Sequence, residues 1–544
     1  MMSLTNKHIA VLFALILVGT TATLATVSKA PQVETPVVSK NAYIIQGLAI
    51  DAMAALVEST GGEISHKLPI INAVGAKLTE SQYQSLASNS DLRLLENTEV
   101  TSHANAVALP KYAIETHIVK QIGADQVHKH GIRGQGITIA TIDSGVSIAS
   151  ERGAYLRLNS KGRSRVVAKY DALQGIQTRA LNDDDNGHGS HVAGIAISSV
   201  KDPSGRYNGV APDAYLVSVK AFDADGKGSY LDVIDGLNWI LENKDRYQIR
   251  VVNLSFGAAV ASHYWDDPMN QAVMRAWDAG IVVVTSAGNQ GPVNMSVTSP
   301  GNNPYVITVG AATDSYTPDD YSDDRVTTFS SLGPTHEAFI KPELVTWGGH
   351  NIGKINGDLV KGLEQKYQNK GTGVDYYEVG GTSQAAAVVT GTVALMLDLE
   401  PWLEPDTIKC RLMATASAIR SSKGTTDYSP FEQGAGLMNA YDAVMSYADN
   451  CANQGLDITD DLNDVRHFIG PARVDDEGNL IIPNVEANPW LDANPWLDAN
   501  PWLDANPWLD ANPWLDANPW LDANPWLDSN TSVESDVELE NEQK

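Results

Sequence analysis

The stretch GITIATIDSGV, residues 136–146, decides how the chain is to be read. Ile137 to Asp143 is a short apolar run rich in β-branched residues, closed by an acid and a Ser-Gly turn. Such a run predicts a strand buried on both faces, as strands of parallel sheets are. Four more follow: YLVSVKAF (215–222), VVNLSF (251–256), IVVVTSAG (281–288) and VITVGAA (306–312). Helical patterns separate most of them, namely SHVAGIAISS (190–199), YLDVIDGLNWILEN (230–243) and MNQAVMRAWDAG (269–280). The alternation predicts an α/β fold, a mostly parallel sheet with helices on both faces. Functional residues of such sheets gather at the carboxyl ends of strands. Asp143 stands at one of those ends, although a strand-end acid that only caps its turn is the plainer reading of Asp143 alone.

Two further segments carry reactive side chains. In DDDNGHGSHVAG (183–194), His188 lies between two glycines just before a helix. With His191 it forms an HxxH pair, but the Glu and third ligand of a zinc hydrolase are missing nearby. In VGGTSQAAAVVTGTVALMLDL (379–399), Gly380, Gly381 and Thr382 lead Ser383 into a long apolar helix. A Ser there is ordinarily an N-cap. The glycines, however, permit close backbone approach, and a helix start offers unpaired N–H groups.

Taken together, these segments resemble the subtilisin family of serine proteases, with Asp, His and Ser in that chain order. The resemblance runs from about Ile137 to Met438. It includes GVAP (209–212), NLSFG (253–257), SAGNQG (286–291), PGNNPYVITVGA (300–311), FSSLGP (329–334) and KPEL (341–344), in the family's order and approximate spacing. It implies a subtilisin-like fold and peptide-bond hydrolysis by Ser383, with His188 as base and Asp143 orienting the imidazole. Asn289 matches the family's side-chain donor to the oxyanion, and the Ser383 N–H would be the second donor. His191 matches a structural position. GKGSY, with Gly226, Gly228 and Tyr230, and SFG, with Ser255, Phe256 and Gly257, would pair with an extended peptide as an added strand. Ala287, Gly288 and Thr298 would line the pocket next to the scissile bond, and Tyr230, Val233 and Phe256 an apolar pocket further upstream. None of these is charged, so the expected preference is broad and apolar or aromatic. No cofactor is needed for this chemistry. Asp183 to Asp185 are candidate ligands for a structural calcium, with a solvated acidic loop as the alternative. Three positions depart from the family pattern: Ser190, Gln384 and Ala387 stand where Thr, Met and Pro are common.

The rest of the chain supplies context. At 544 residues it has room for several domains. Its net charge of −28 argues against nucleic acid, which needs clustered Lys and Arg. Residues 456–544 carry −17 of that charge, and long acidic tails are usually solvated. Lys7 and His8 precede the apolar run IAVLFALILV (9–18), a pattern that predicts a secretory signal over residues 1–30 and no stable membrane span after its removal. The protein is therefore expected outside the cytoplasm: secreted, periplasmic or held at the cell surface. In that compartment Cys410 and Cys451 favour one disulfide over two buried thiols. A linker (31–40) leads to a β-α-β-β-α-β pattern over 41–100, which suits a ferredoxin-like unit. By the same resemblance, this unit would be an inhibitory propeptide, joined by a processing linker (101–112) to the catalytic domain (113–452). An acidic linker (453–486), seven copies of ANPWLD (487–528) and an acidic end (529–544) follow. With a Pro in every six residues the repeats exclude a continuous helix. They read as a semi-rigid spacer or as a multivalent ligand for a surface partner. A silent relative that only binds polypeptides and an adhesin carrying a protease domain are the readings from other classes.

Overall fold

The computed structural model describes residues 39–102, 105–108, 117–149, 153–181, 183–355, 376–419, 428–475 and 479–483. The predicted signal peptide, the ANPWLD repeats and the acidic end lie outside them. The first folded segment runs β1 (Asn41–Gln46), α1 (Ile50–Ser59), β2 (Glu63–Leu68), β3 (Ala73–Leu78), α2 (Glu80–Ala87) and β4 (Arg93–Glu96). Its strands pair antiparallel in the order β2-β3-β1-β4, the ferredoxin-like arrangement. Thr79 starts α2 with a capping box: its hydroxyl accepts from the Gln82 N–H while the Gln82 side chain accepts from the Thr79 N–H. Alternation along β1 sends its side chains two ways. Tyr43 and Ile45 join Met53, Val57 and Leu86 in a small separate core, whereas Ile44 enters the large core of the following domain.

The stretch LRLLENTEV (92–100) reads as one strand but forms two. β4 stops at Glu96, and β5 (Glu99–Thr101) leaves the small sheet. The break is fixed from outside: the Asn97 side chain accepts from the Leu231 N–H at 3.0 Å, and the Thr98 carbonyl accepts from the Tyr230 N–H at 3.0 Å. The helix starting at Tyr230 thus has two of its unpaired N–H groups satisfied by this segment. A further short strand, β6 (Asn105–Ala108), lies within the expected processing linker.

The large domain is built on β7 (Thr138–Asp143), β8 (Val166–Asp171), β9 (Ile176–Gln177), β10 (Tyr215–Lys220) and β11 (Lys227–Ser229). It continues through β12 (Ile249–Leu254), β13 (Val282–Ser286), β14 (Ile307–Thr313), β15 (Arg325–Val326) and β16 (Leu344–Trp347). All except β11 form one sheet, ordered β15-β14-β13-β12-β7-β10-β8-β9 with β16 beside β14. The pairs from β14 to β8 are parallel, as is β16, and only the short β9 and β15 run antiparallel. β7 sits near the middle with all six residues buried. Helices α3 (His188–Ile197), α4 (Tyr230–Tyr247), α5 (Pro268–Asp278) and α6 (Thr382–Leu399) cover the sheet. α6 is apolar enough to cross a membrane by composition, yet it is almost wholly buried against α3 and the sheet. α4 and α5 also carry the small domain, meeting β2 and the turn at Pro69–Ile71. A pair of strands, β17 (Asn351–Lys354) and β18 (Tyr376–Gly380), precedes α6.

Cys410, on α7 (Pro405–Ala414), forms a disulfide with Cys451, their Cα atoms 5.0 Å apart. The acid-rich stretch after it differs from a solvated linker as far as residue 475. It makes a short helix, α8 (Ile458–Leu462), and folds back on the large domain. The buried Asp461 accepts from the Tyr264 hydroxyl at 2.8 Å and the Tyr305 hydroxyl at 2.6 Å, and bonds the His467 ring at 2.9 Å. Trp265 lies stacked between His263 and His467, with centroids 4.3 and 4.6 Å away. One acid with three partners and one indole between two imidazoles are what dock the segment.

Candidate active site

β7 delivers Asp143 to the carboxyl edge of the sheet, where the side chain is buried and bonds His188 Nδ1 at 2.8 and 3.0 Å. A second bond, from the Ser144 N–H at 2.7 Å, fixes the carboxylate. His188 is the first residue of α3, and Gly187 before it has φ 98°, a left-handed turn that side chains resist. The buried Asp184 holds this helix start by accepting from the N–H groups of Asn186, Gly187 and Ser190 at 3.2, 2.7 and 2.8 Å. It also accepts from the Ser144 hydroxyl at 2.8 Å, and that hydroxyl accepts from the Gly189 N–H at 2.9 Å. Strand end and helix start are therefore tied by one short network. Sequence reading missed Ser144 and Asp184 as its members; their one signal was position, beside Asp143 and within the acidic run before His188.

That acidic run does not act as one cluster. Asp183 pairs with Lys169 at 2.7 Å and accepts from the Val146 N–H, Asp184 caps α3, and Asp185 is exposed with Lys220 3.8 Å away. Ser190 uses its hydroxyl to accept from the Ser147 N–H at 2.9 Å. His191, one turn beyond His188, is fully enclosed against Gly353 of β17. Burial drives its pKa down to about 3, so the ring stays neutral near pH 7.

Ser383 enters the site from the first turn of α6, which packs against α3. Its hydroxyl donates to the Ser255 carbonyl at 3.1 Å, and the Ser255 hydroxyl donates back to the Ser383 carbonyl at 2.9 Å. Thr382 orients Asn289: the Asn289 Oδ1 accepts from the Thr382 N–H at 3.0 Å and from its hydroxyl at 2.9 Å. With the oxygen so engaged, the planar amide presents its nitrogen, a donor, on the opposite side. The helix start adds the Ser383 N–H, which has no intrahelical acceptor. Gln384 is buried, with neither amide atom hydrogen-bonded. Ala387 lies in the uninterrupted body of α6.

The proposed peptide-binding edges are occupied by the chain itself. β5 pairs antiparallel with β11, Thr101 opposite Lys227, Val100 opposite Gly228 and Glu99 opposite Ser229. On its other side Thr101 exchanges both backbone hydrogen bonds with Gly257, at 3.3 and 3.4 Å. The Ser102 N–H reaches the Gly226 carbonyl at 3.0 Å. Residues 99–102 therefore form the middle strand of three. A Cβ on Gly257 would lie 2.2 Å from the Thr298 hydroxyl and one on Gly228 2.2 Å from the Ala221 carbonyl, so only glycine fits these edges. Val100 is fully buried in the same apolar cluster as Tyr230, Val233 and Phe256. Ala287 and Thr298 meet through the Thr298 N–H and the Ala287 carbonyl at 3.1 Å, and a Cβ on Gly288 would press on Thr298.

A buried Asp–His pair at the carboxyl edge of a parallel sheet, with a serine at a neighbouring helix start, supplies the groups that a serine hydrolase on an α/β scaffold requires. Residues 134–436 match the Subtilase family, and the chain belongs to that family. It is a serine endopeptidase. Serine protease AprX of Bacillus subtilis (strain 168) is 33% identical over 380 residues, 69% of this chain and 79% of that protein. Subtilisin E of the same organism is 27% identical over 391 residues, 72% and 85% of the two chains. Fervidolysin from Fervidobacterium pennivorans, a keratinolytic enzyme related to subtilisin, shares the fold at a TM-score of 0.58 and 22% identity. That match covers 76% of this chain and spans 62% of the fervidolysin chain.

Proposed function

We propose that Ser383 is the nucleophile of an endopeptidase made as a self-processing precursor. His188 takes the Ser383 proton as the hydroxyl attacks the peptide carbonyl, and Asp143 holds the imidazole in the tautomer that can accept it. The carbonyl oxygen gains charge and is met by the Asn289 amide and the Ser383 N–H. His188 then passes its proton to the leaving amine. Water, deprotonated by the same imidazole, releases the acyl half. Side chains and backbone alone perform these steps, so no cofactor enters the chemistry.

The observation that carries this reading is the path of the chain through the cleft. Residues 99–102 pair with β11 and Gly257 on one side of Ser383, and residues 105–108 pair with Tyr377–Gly380 on the other. The bond to be cut in self-processing therefore falls between Ser102 and Asn105. After the cut, the small domain keeps β5 in the cleft and inhibits the enzyme. Val100 in the apolar pocket supports an apolar preference at the equivalent substrate position. Processing is tested by a Ser383→Ala protein made in a protease-deficient host. It should keep the small domain and resist fluorophosphonate labelling, while the wild-type protein labels and yields a new N-terminus between residues 103 and 105. Normal processing of the Ser383→Ala protein would sink the self-cleavage reading.

Export is supported by the apolar N-terminal run and by the Cys410–Cys451 disulfide, which suits an oxidising compartment. The seven even ANPWLD copies fit a spacer that holds the protease near a repetitive surface partner. Recovery of activity in the medium or in the cell-surface fraction decides between free release and retention.

A further inference from the structure

We propose that β18 is a binding edge for the part of a substrate that follows the scissile bond, and that Glu378 selects a basic residue there. The inference rests on the endopeptidase reading above and extends it to the leaving side of the cleft. β6 pairs with β18 antiparallel over four residues: Asn105 opposite Gly380, Ala106 opposite Val379, Val107 opposite Glu378 and Ala108 opposite Tyr377. Gly380 is three residues before Ser383, so this ladder begins beside the nucleophile and runs away from it. The other edge of β18 is taken by β17. A strand on this side is therefore the third of a small sheet, and its removal leaves a row of backbone donors and acceptors unpaired. Such an edge binds any extended polypeptide of suitable direction. Once the chain is cut before Asn105, the segment 105–108 is no longer joined to the small domain and can yield its place on β18 to a substrate.

The side chains of β18 add selectivity. Tyr377 and Val379 are buried, while Glu378 lies on the opposite face, half exposed. The substrate residue in the place of Val107 comes directly opposite Glu378 on that face. The Glu378 carboxylate is held by the Tyr316 hydroxyl, which donates to it at 2.6 Å. Tyr316 stacks on His350 at 4.0 Å between centroids, and His350 bonds Asp314 at 2.5 Å. Burial and the nearby Glu378 push the Tyr316 hydroxyl up to about 12, so it remains a donor throughout the working range. Among the described residues no Lys or Arg pairs with Glu378, and a basic residue on a strand bound to this edge would meet its carboxylate.

The test is a peptide series with one fixed sequence before the cut and one to eight residues after it. The expected result is a rise in kcat/KM of about tenfold or more as the residues matching 105–108 are added, then a plateau, because each ladder hydrogen bond adds a modest net gain. A flat series overturns the proposal, including the case in which residues 105–108 never leave β18. Peptides with Lys or Glu at the position matching Val107 test the selection. Wild type should favour Lys about three- to fivefold, and Glu378→Lys should reverse the ratio. An unchanged ratio removes Glu378 from the proposal. A fluorophosphonate has no residues after its reacting centre and separates the two readings. Labelling with a flat series removes only the binding edge, whereas no labelling overturns the endopeptidase reading and this one together.

Discussion

The small domain and the large one solve the same burial problem on different scales. The large sheet is covered on both faces by its own helices, and its strands β7, β12 and β13 are buried at every position but Arg250. The four-stranded sheet has helices on one face only, and for the other it uses α4 and α5 of its neighbour. Ile44 belongs to the large core although it is bonded into the small sheet. A unit of this size, with half its burial lent by a partner, is marginally stable alone. That difference ties the stability of the small domain to its contact with the large one.

Three substitutions would break or sharpen the contrast. Asp143→Asn should lower kcat by about 10⁴ while leaving both domains folded and associated. Steady-state kinetics beside circular dichroism checks it, and a loss of fold would show that Asp143 serves the core rather than the chemistry. Next in size is Ile44→Asp in the Ser383→Ala background. An unpaired carboxylate forced into the shared core should cost about 3 kcal/mol or more. Amide exchange should then speed up across β1 to β4 and stay unchanged in β7, β10 and β12; equal acceleration in both would mean one cooperative unit. The smallest effect belongs to Thr79→Ala, which removes the cap of α2 at about 1 kcal/mol. Its exchange signature should be confined to the small domain. Spread into α6 would contradict the separation of the two cores.

The strands of the large sheet were legible because burial on both faces leaves an unbroken apolar run, as in Ile137 to Asp143. The candidate site was legible because Asp143, His188 and Ser383 each sit in an unusual local setting of glycines and helix starts. What the sequence hid was destination. Nothing in ENTEV tells β5 to leave the small sheet, since its partners, β11 and Gly257, lie more than a hundred residues away. β18 shows no periodicity of its own and takes its meaning from β6. The stretch around Asp461 reads as solvated because acids usually are; it is buried because Tyr264, Tyr305 and His467 converge on one carboxylate. Asp184 shows a related limit: an acid that satisfies the N–H groups of a helix start looks, in sequence, like any other member of an acidic run.

The disulfide has a mechanical consequence. Residues 453–475 are fastened by hydrogen bonds and stacking, and just before them Cys451 is joined covalently to α7. Load arriving along the chain from beyond residue 483 is borne first by the docked segment, whose contacts are non-covalent. What remains is taken by the bond at Cys451 and passed into α7. A tethered protease under drag would lose its outer fastening long before α6, and with it Ser383, felt any strain.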